Sequence, residues 1–165
     1  SSDLAIMTSD ETTMGKYPVE TIQYMAKIAI NAEKITKYNL ADYKLRGTDI
    51  HNTVCKCAVD ATLELPIKAI VVSTKEGKTA LDVSCLRPNA YIIATVENEK
   101  MARMLALKWG VYTKVVPASS NTDTLVEDSI NAAKEMLNLK YKDLVCVVGS
   151  TPVDAHTNFL KIEEI

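Results

Sequence analysis

The chain has little of what marks the more specialised classes of protein. Its 165 residues include 5 glycines, 5 prolines, one tryptophan and one phenylalanine, too little Gly and Pro for a fibrous or low-complexity chain. It has no excess of positive charge: 19 Lys and Arg stand against 21 Asp and Glu, a formal net charge of −2. A partner held through its phosphate backbone normally meets a basic face, so nucleic acid is not expected. No run approaches the ~18 apolar residues of a membrane span, and the first residues lack the basic-then-apolar order of a secretory signal. No membrane partner is therefore expected, and a cytoplasmic location is. The 4 cysteines, Cys55, Cys57, Cys85 and Cys146, lie in apolar periodic segments and are expected to be reduced core residues. Cys55 and Cys57 would project roughly 200° apart on a helix, so no metal site is expected.

What is present is the composition of an ordinary globular chain, with 47% hydrophobic and 24% charged residues. Leu4 to Met7 is an apolar run closed by Thr8, Ser9 and Asp10, which predicts a buried strand ending in a polar turn. Pro18 opens a helical pattern, with Ile22, Ala26, Ala29 and Ile30 recurring at three-to-four spacing up to about Tyr38. The polar stretch Asn39 to Gly47 then marks a boundary, dividing residues 1–40 from residues 41–165. Beyond it Thr48 or Asp49 caps a helix through Ile50, Val54, Cys57, Ala58 and Ala61.

From Ile67 onward strand and helix patterns alternate. Strands are predicted at Ala69 to Ser73, Tyr91 to Thr95, Val111 to Val116, Leu144 to Val148 and Phe159 to Ile162. Helices are predicted at Thr79 to Leu86, Glu99 to Lys108 and Asp123 to Leu139. Short, nearly all-apolar strands separated by helices predict a doubly wound α/β fold with a mainly parallel sheet of about five strands. The connection Gly149 to Asn158 carries no helical pattern, so the last strand is expected to be antiparallel at an edge.

Ligands of such sheets bind beyond the carboxyl ends of the strands. The richest turn there is Ser73 to Thr79. Thr74, Lys75, Gly77, Lys78 and Thr79 gather hydroxyls, ammonium groups and a helix start, which together suit a phosphate. A capping role for Thr79 with solvated lysines is the alternative. Gly77-Lys78-Thr79 imitates the end of a P-loop, but Val72 stands where the first glycine is required. The turn with Ser150, Thr151 and His156 could also welcome phosphate, whereas its Asp154 would repel it; a solvated loop tip is the blander reading. His51 reads as a surface or capping residue, and Trp109 as a packing residue. Ser9, Glu11 and Thr12 lie just past a strand's carboxyl end, where barrel enzymes place active groups.

The stretch Ile6-Met7-Thr8-Ser9-Asp10-Glu11-Thr12 followed by Gly15-Lys16-Tyr17-Pro18-Val19-Glu20 closely resembles the signature at the end of the pyruvate kinase barrel. The resemblance continues through Ala69 to Val72, Thr74-Lys75, Gly77-Lys78-Thr79-Ala80, Leu86-Arg87-Pro88, Ile92-Ile93-Ala94 and Thr157-Asn158. It implies that residues 41–165 are the C-terminal regulatory and assembly domain of that family. Residues 1–40 would then be the last strand-helix unit of its (β/α)8 catalytic barrel.

For the full-length enzyme the resemblance implies phosphoryl transfer from phosphoenolpyruvate to ADP, giving pyruvate and ATP, with magnesium and potassium and in a homotetramer. The catalytic lysine and metal ligands have no counterpart in this sequence. The fragment is thus expected to be inactive, without a cofactor of its own, and partnered by the remaining barrel. Ser9, Glu11 and Thr12 would stand at the edge of the active-site mouth, with Asp10 where the family pattern has Gly.

The effector of many relatives, fructose 1,6-bisphosphate, would lie between the loops matching Thr74 to Thr79 and Ser150 to His156, helped by an arginine. Here Glu76, Val153 and Asp154 depart from the pattern, and Val115 to Ala133 contains no Arg or Lys. Charge-assisted bonds contribute roughly 1.5 to 3 kcal/mol each, so a bisphosphate is expected to bind weakly. A free-standing phosphometabolite-binding module of the same domain type is the alternative.

Overall fold

The computed structural model describes residues 9–35, 49–153 and 155–165, and the chain divides into two compact units, Ser1–Asp42 and Tyr43–Ile165. In the first unit α1 spans Asp10–Met14 and α2 spans Pro18–Ile35. The polar turn expected at Ser9 to Thr12 is instead the start of a helix. The Ser9 hydroxyl accepts from the Glu11 N–H at 3.3 Å, and two carboxylates occupy the first turn, both favourable at a helix start. The Glu11 carboxylate also accepts from the Tyr17 N–H at 2.8 Å, tying α1 to the start of α2. The expected strand Leu4 to Met7 lies outside the described residues. Although α2 begins at Pro18 as its pattern predicts, none of its residues is buried.

The second unit runs α3 (Ile50–Glu64), β1 (Ile67–Ser73), α4 (Lys78–Cys85), β2 (Tyr91–Val96), α5 (Glu99–Leu105), β3 (Val111–Val115), α6 (Thr122–Leu137), β4 (Leu144–Gly149) and β5 (Phe159–Glu164). The strands form one sheet in the order β3-β2-β1-β4-β5. All pairs are parallel except β4 with β5, where Val148 faces Leu160 in antiparallel register. The α/β fold with its antiparallel last strand is therefore as the periodicity and the turn chemistry require. Strands β1 and β4 carry side chains such as Val71, Val72, Val145 and Val147 that are buried whichever face they point to, which is why their sequences read as continuous apolar runs. Ala132 and Ala133 of α6 complete a core cluster with Ala69, Val71, Ile93 and Val145.

Two side chains depart from the sequence reading. Cys57 is exposed while Cys55 and Cys146 are fully buried, because two positions along a helix turn a side chain to the opposite face. His51 is buried, at 8% exposure, rather than on the surface. The chain order places β1 centrally: β2 and β3 build outward on one side, and α6 returns the chain to β4 on the other. The carboxyl ends of β1 and β4 thus flank the switch point where sheets of this kind hold ligands.

Candidate functional site

The turn after β1 is shaped by its own polar groups. The Thr74 N–H donates to the Thr95 carbonyl at 3.1 Å, and its hydroxyl accepts from the Gly77 N–H at 3.0 Å. Gly77 closes the turn at φ +80°, and a Cβ there would lie 3.0 Å from the Leu105 and Met101 side chains. Both the left-handed backbone and the close helix α5 therefore call for glycine. Being glycine, it gives α4 no side-chain acceptor at its first amides, whereas α3, α5 and α6 are capped by Asp49, Asn98 and Asn121.

At this helix start lies a crevice of about 220 Å³. Thr74, Lys75, Lys78 and Thr79 line it from one side, and Ser150, His156 and Thr157 from the long turn before β5. A 2.8 Å hydrogen bond between the Thr79 and Thr157 hydroxyls ties the two turns together. Two turns well separated in sequence thus bring together six of the expected residues, Thr74, Lys75, Lys78, Thr79, Ser150 and His156. Gly77 shapes the turn. Thr151 does not line the crevice: its N–H donates to Asn158 at 2.9 Å and its hydroxyl accepts from Thr122 at 3.1 Å, fixing the loop to the start of α6. Asp154 lies outside the described residues. Ser9, Glu11 and Thr12 belong to the first unit, where they build the α1 cap and the turn into α2.

The charge of the crevice is mixed. Lys75 lies 3.6 Å from Glu97, and Glu76 lines the same space. The Ser150 hydroxyl donates to the Val153 carbonyl at 2.7 Å, so as arranged it presents lone pairs rather than a proton. The expected weakness toward a second phosphate finds one of its carboxylates, Glu76, in position. Lys114, just before the Lys- and Arg-free stretch, is engaged by Glu135 at 2.6 Å.

Sequence reasoning missed the wall behind these residues. His51 Nε2 lies 2.8 Å from Asp82 Oδ2 of α4 and 3.9 Å from Cys55 Sγ, and the ring lines the crevice. His51 and Cys55 show the one-turn spacing that brings side chains together on a helix. Nothing local announces Asp82, which comes from another helix. Burial pushes the Cys55 thiol up to about 12, and the Asp82 charge adds to the shift. Burial alone takes Cys146 to about 12. Trp109 has the packing role its position suggested: the Arg87 guanidinium lies 4.4 Å from its ring centroid, and its carbonyl accepts from the Ser84 hydroxyl at 2.6 Å.

The second unit is thus an open α/β domain with a polar crevice at its switch point. Residues 52–163 match the pyruvate kinase alpha/beta domain family, and the chain belongs to that family. It is 36% identical over 166 residues to the pyruvate kinase of Geobacillus stearothermophilus, covering 98% of this chain and 28% of that protein. The Clostridium acetobutylicum pyruvate kinase is also 36% identical, over 98% of this chain and 35% of its own length. Among solved structures, a pyruvate kinase from Cryptosporidium parvum superposes with a TM-score of 0.80 at 24% identity, over 96% of this chain and 32% of that one. The chain therefore spans about a third of the length of the relatives it matches.

Among the described residues no helix is long and apolar enough to cross a membrane. Nor does any group of three or more His, Cys, Asp and Glu gather so as to hold a metal ion. The described residues thus offer magnesium no cluster of ligands.

Proposed function

We propose that this chain is the C-terminal regulatory and assembly part of a cytoplasmic, glycolytic pyruvate kinase, and that its crevice takes a phosphate-bearing effector. The observation that carries the effector reading is the meeting of Thr74, Lys75, Lys78 and Thr79 with Ser150 and His156 around a helix start that begins on glycine, unlike the other helix starts among the described residues of this domain. Amides at a helix N-terminus, reinforced by ammonium and hydroxyl groups, hold one phosphate well. Glu76 and Glu97 on the same wall oppose a second. Relatives that align over nearly all of this chain and extend far beyond it support the larger assignment.

In that whole enzyme phosphate passes from phosphoenolpyruvate to ADP. The groups that bind magnesium and potassium, and the catalytic lysine, belong to the rest of the barrel. That barrel is the partner of the first unit, and the alpha/beta domain serves assembly of a homotetramer. Calorimetric titration with glucose 6-phosphate and fructose 1,6-bisphosphate tests the crevice. The monophosphate is expected to bind at least as tightly, and Lys78→Ala to weaken it roughly tenfold. Absence of binding by either sugar phosphate would remove the effector reading.

A further inference from the structure

His51 enters the crevice wall from the first turn of α3. Asp82, which holds its Nε2 at 2.8 Å, lies one turn beyond Lys78 on the same face of α4, behind His51 rather than on the crevice lining itself. The pair has two charge states. With a neutral imidazole, the Asp82 carboxylate leaves the wall with one net negative charge beside the anion. With an imidazolium, the pair is neutral. We propose that His51 takes up a proton when the crevice takes up an anion, so that anion affinity rises as pH falls. This rests on the reading of the crevice as a phosphate site. Coupling of this kind is reciprocal: whatever an anion does for the proton, the proton does for the anion.

The other groups around the ring do not duplicate this role. On α3, Asp49 is committed to the Asn52 N–H at 2.8 Å, and the Cys55 thiol, pushed up to about 12 by burial and Asp82, stays uncharged where an imidazole titrates. The other charged groups on the crevice are Lys78 of α4 and Lys75, Glu76 and Glu97 on the turns after β1 and β2, none of them an imidazole. His156 is the one other imidazole on the crevice; it is exposed, on the opposite turn. It is therefore the necessary control.

The experiment is calorimetric titration of the 165-residue chain with sodium sulfate, whose charge is constant from about pH 5.5 to about pH 8, the span in which imidazole changes charge. The parent is expected to bind sulfate roughly threefold to tenfold more tightly at the acid end. Repeating the titration near the middle of that span in buffers of different ionisation heat should reveal proton uptake of roughly a quarter to a half per sulfate, the amount that such an affinity change carries. His51→Gln should show the parent's weaker, alkaline affinity at both pH values. Asp82→Asn should bind more tightly than the parent at the alkaline end, and the pH dependence that remains in His156→Gln should be lost when His51→Gln is added to it. Sulfate binding without proton uptake, or a pH dependence that survives in the double variant, overturns the linkage and leaves the phosphate reading standing. No sulfate binding by the parent at any pH overturns both.

Discussion

Cys55 and Cys57 stand two positions apart on α3 and experience different solvents, one fully buried and one exposed. An exposed thiol is open to an alkylating reagent, whereas a thiol that burial pushes up to about 12 stays protonated and out of reach. Iodoacetamide is therefore expected to modify Cys57 rapidly and to leave Cys55 and Cys146 untouched until urea unfolds the chain, as peptide mapping would report. The same burial sets an alkaline limit. For Cys55 and Cys146 the folded-state value lies above the ordinary 9.0, so the stability linked to each is present below that pH and is lost as pH climbs toward about 12. Each withdraws up to about 1.4 kcal/mol per pH unit in this window. Urea midpoints at pH 8 and pH 10 should fall accordingly, and Cys146→Ala should shallow the decline. In the crevice, Glu76→Ser should raise fructose 1,6-bisphosphate affinity roughly threefold to tenfold at low salt, with the gain shrinking in high salt as the removed charge is screened. An unchanged titration would show that Glu76 does not face the ligand. The burial of His51 was not legible in the sequence, because its partner is a distant side chain and imidazoles are as common outside a fold as within it.

At the scale of elements, the strands were the most legible. Val, Ile and Ala crowd into β1, β2 and β4, and no surface helix tolerates so unbroken an apolar run. The crevice was legible in part, since hydroxyls, lysines and Gly77 cluster at one strand end; that the turn before β5 folds against it depends on the Thr79–Thr157 bond, which no periodicity encodes. Helix α1 was not legible, because Ser9, Asp10 and Glu11 signal a helix start and a loop equally well. Gly77→Ala is expected to cost about 1 to 3 kcal/mol, from a left-handed backbone and contact with Leu105 and Met101, measurable as a lowered urea midpoint. Helix α2 makes a contrasting case. Val19, Ile22 and Ile28 are each about 60% exposed, whereas most helical stability in proteins comes from packing an apolar face. Hydrogen exchange should find its amides far less protected than those of β1; equal protection in a demonstrated monomer would mean that the helix does not depend on a covering partner.

For the whole molecule, the proposed division of labour makes a direct prediction: the purified 165-residue chain should give no pyruvate from phosphoenolpyruvate and ADP above background in a lactate dehydrogenase-coupled assay. Turnover would sink the assignment of catalysis to the rest of the enzyme. The sheet order β3-β2-β1-β4-β5 also constrains how the domain comes into being. A ribosome delivers β1, then β2 and β3, and these can zip together as they emerge. The other edge of β1 belongs to β4, which arrives only after α6. For that interval a strand destined for the centre waits as an edge, apolar on both faces and with its ladder groups unmet, the state most prone to pairing with another nascent chain. A version ending at Lys142 should therefore aggregate even though β1, β2 and β3 are all present, and supplying residues 143–165 as a peptide during refolding should restore solubility. The central position of the earliest strand thus makes the domain a product that matures late in its own synthesis.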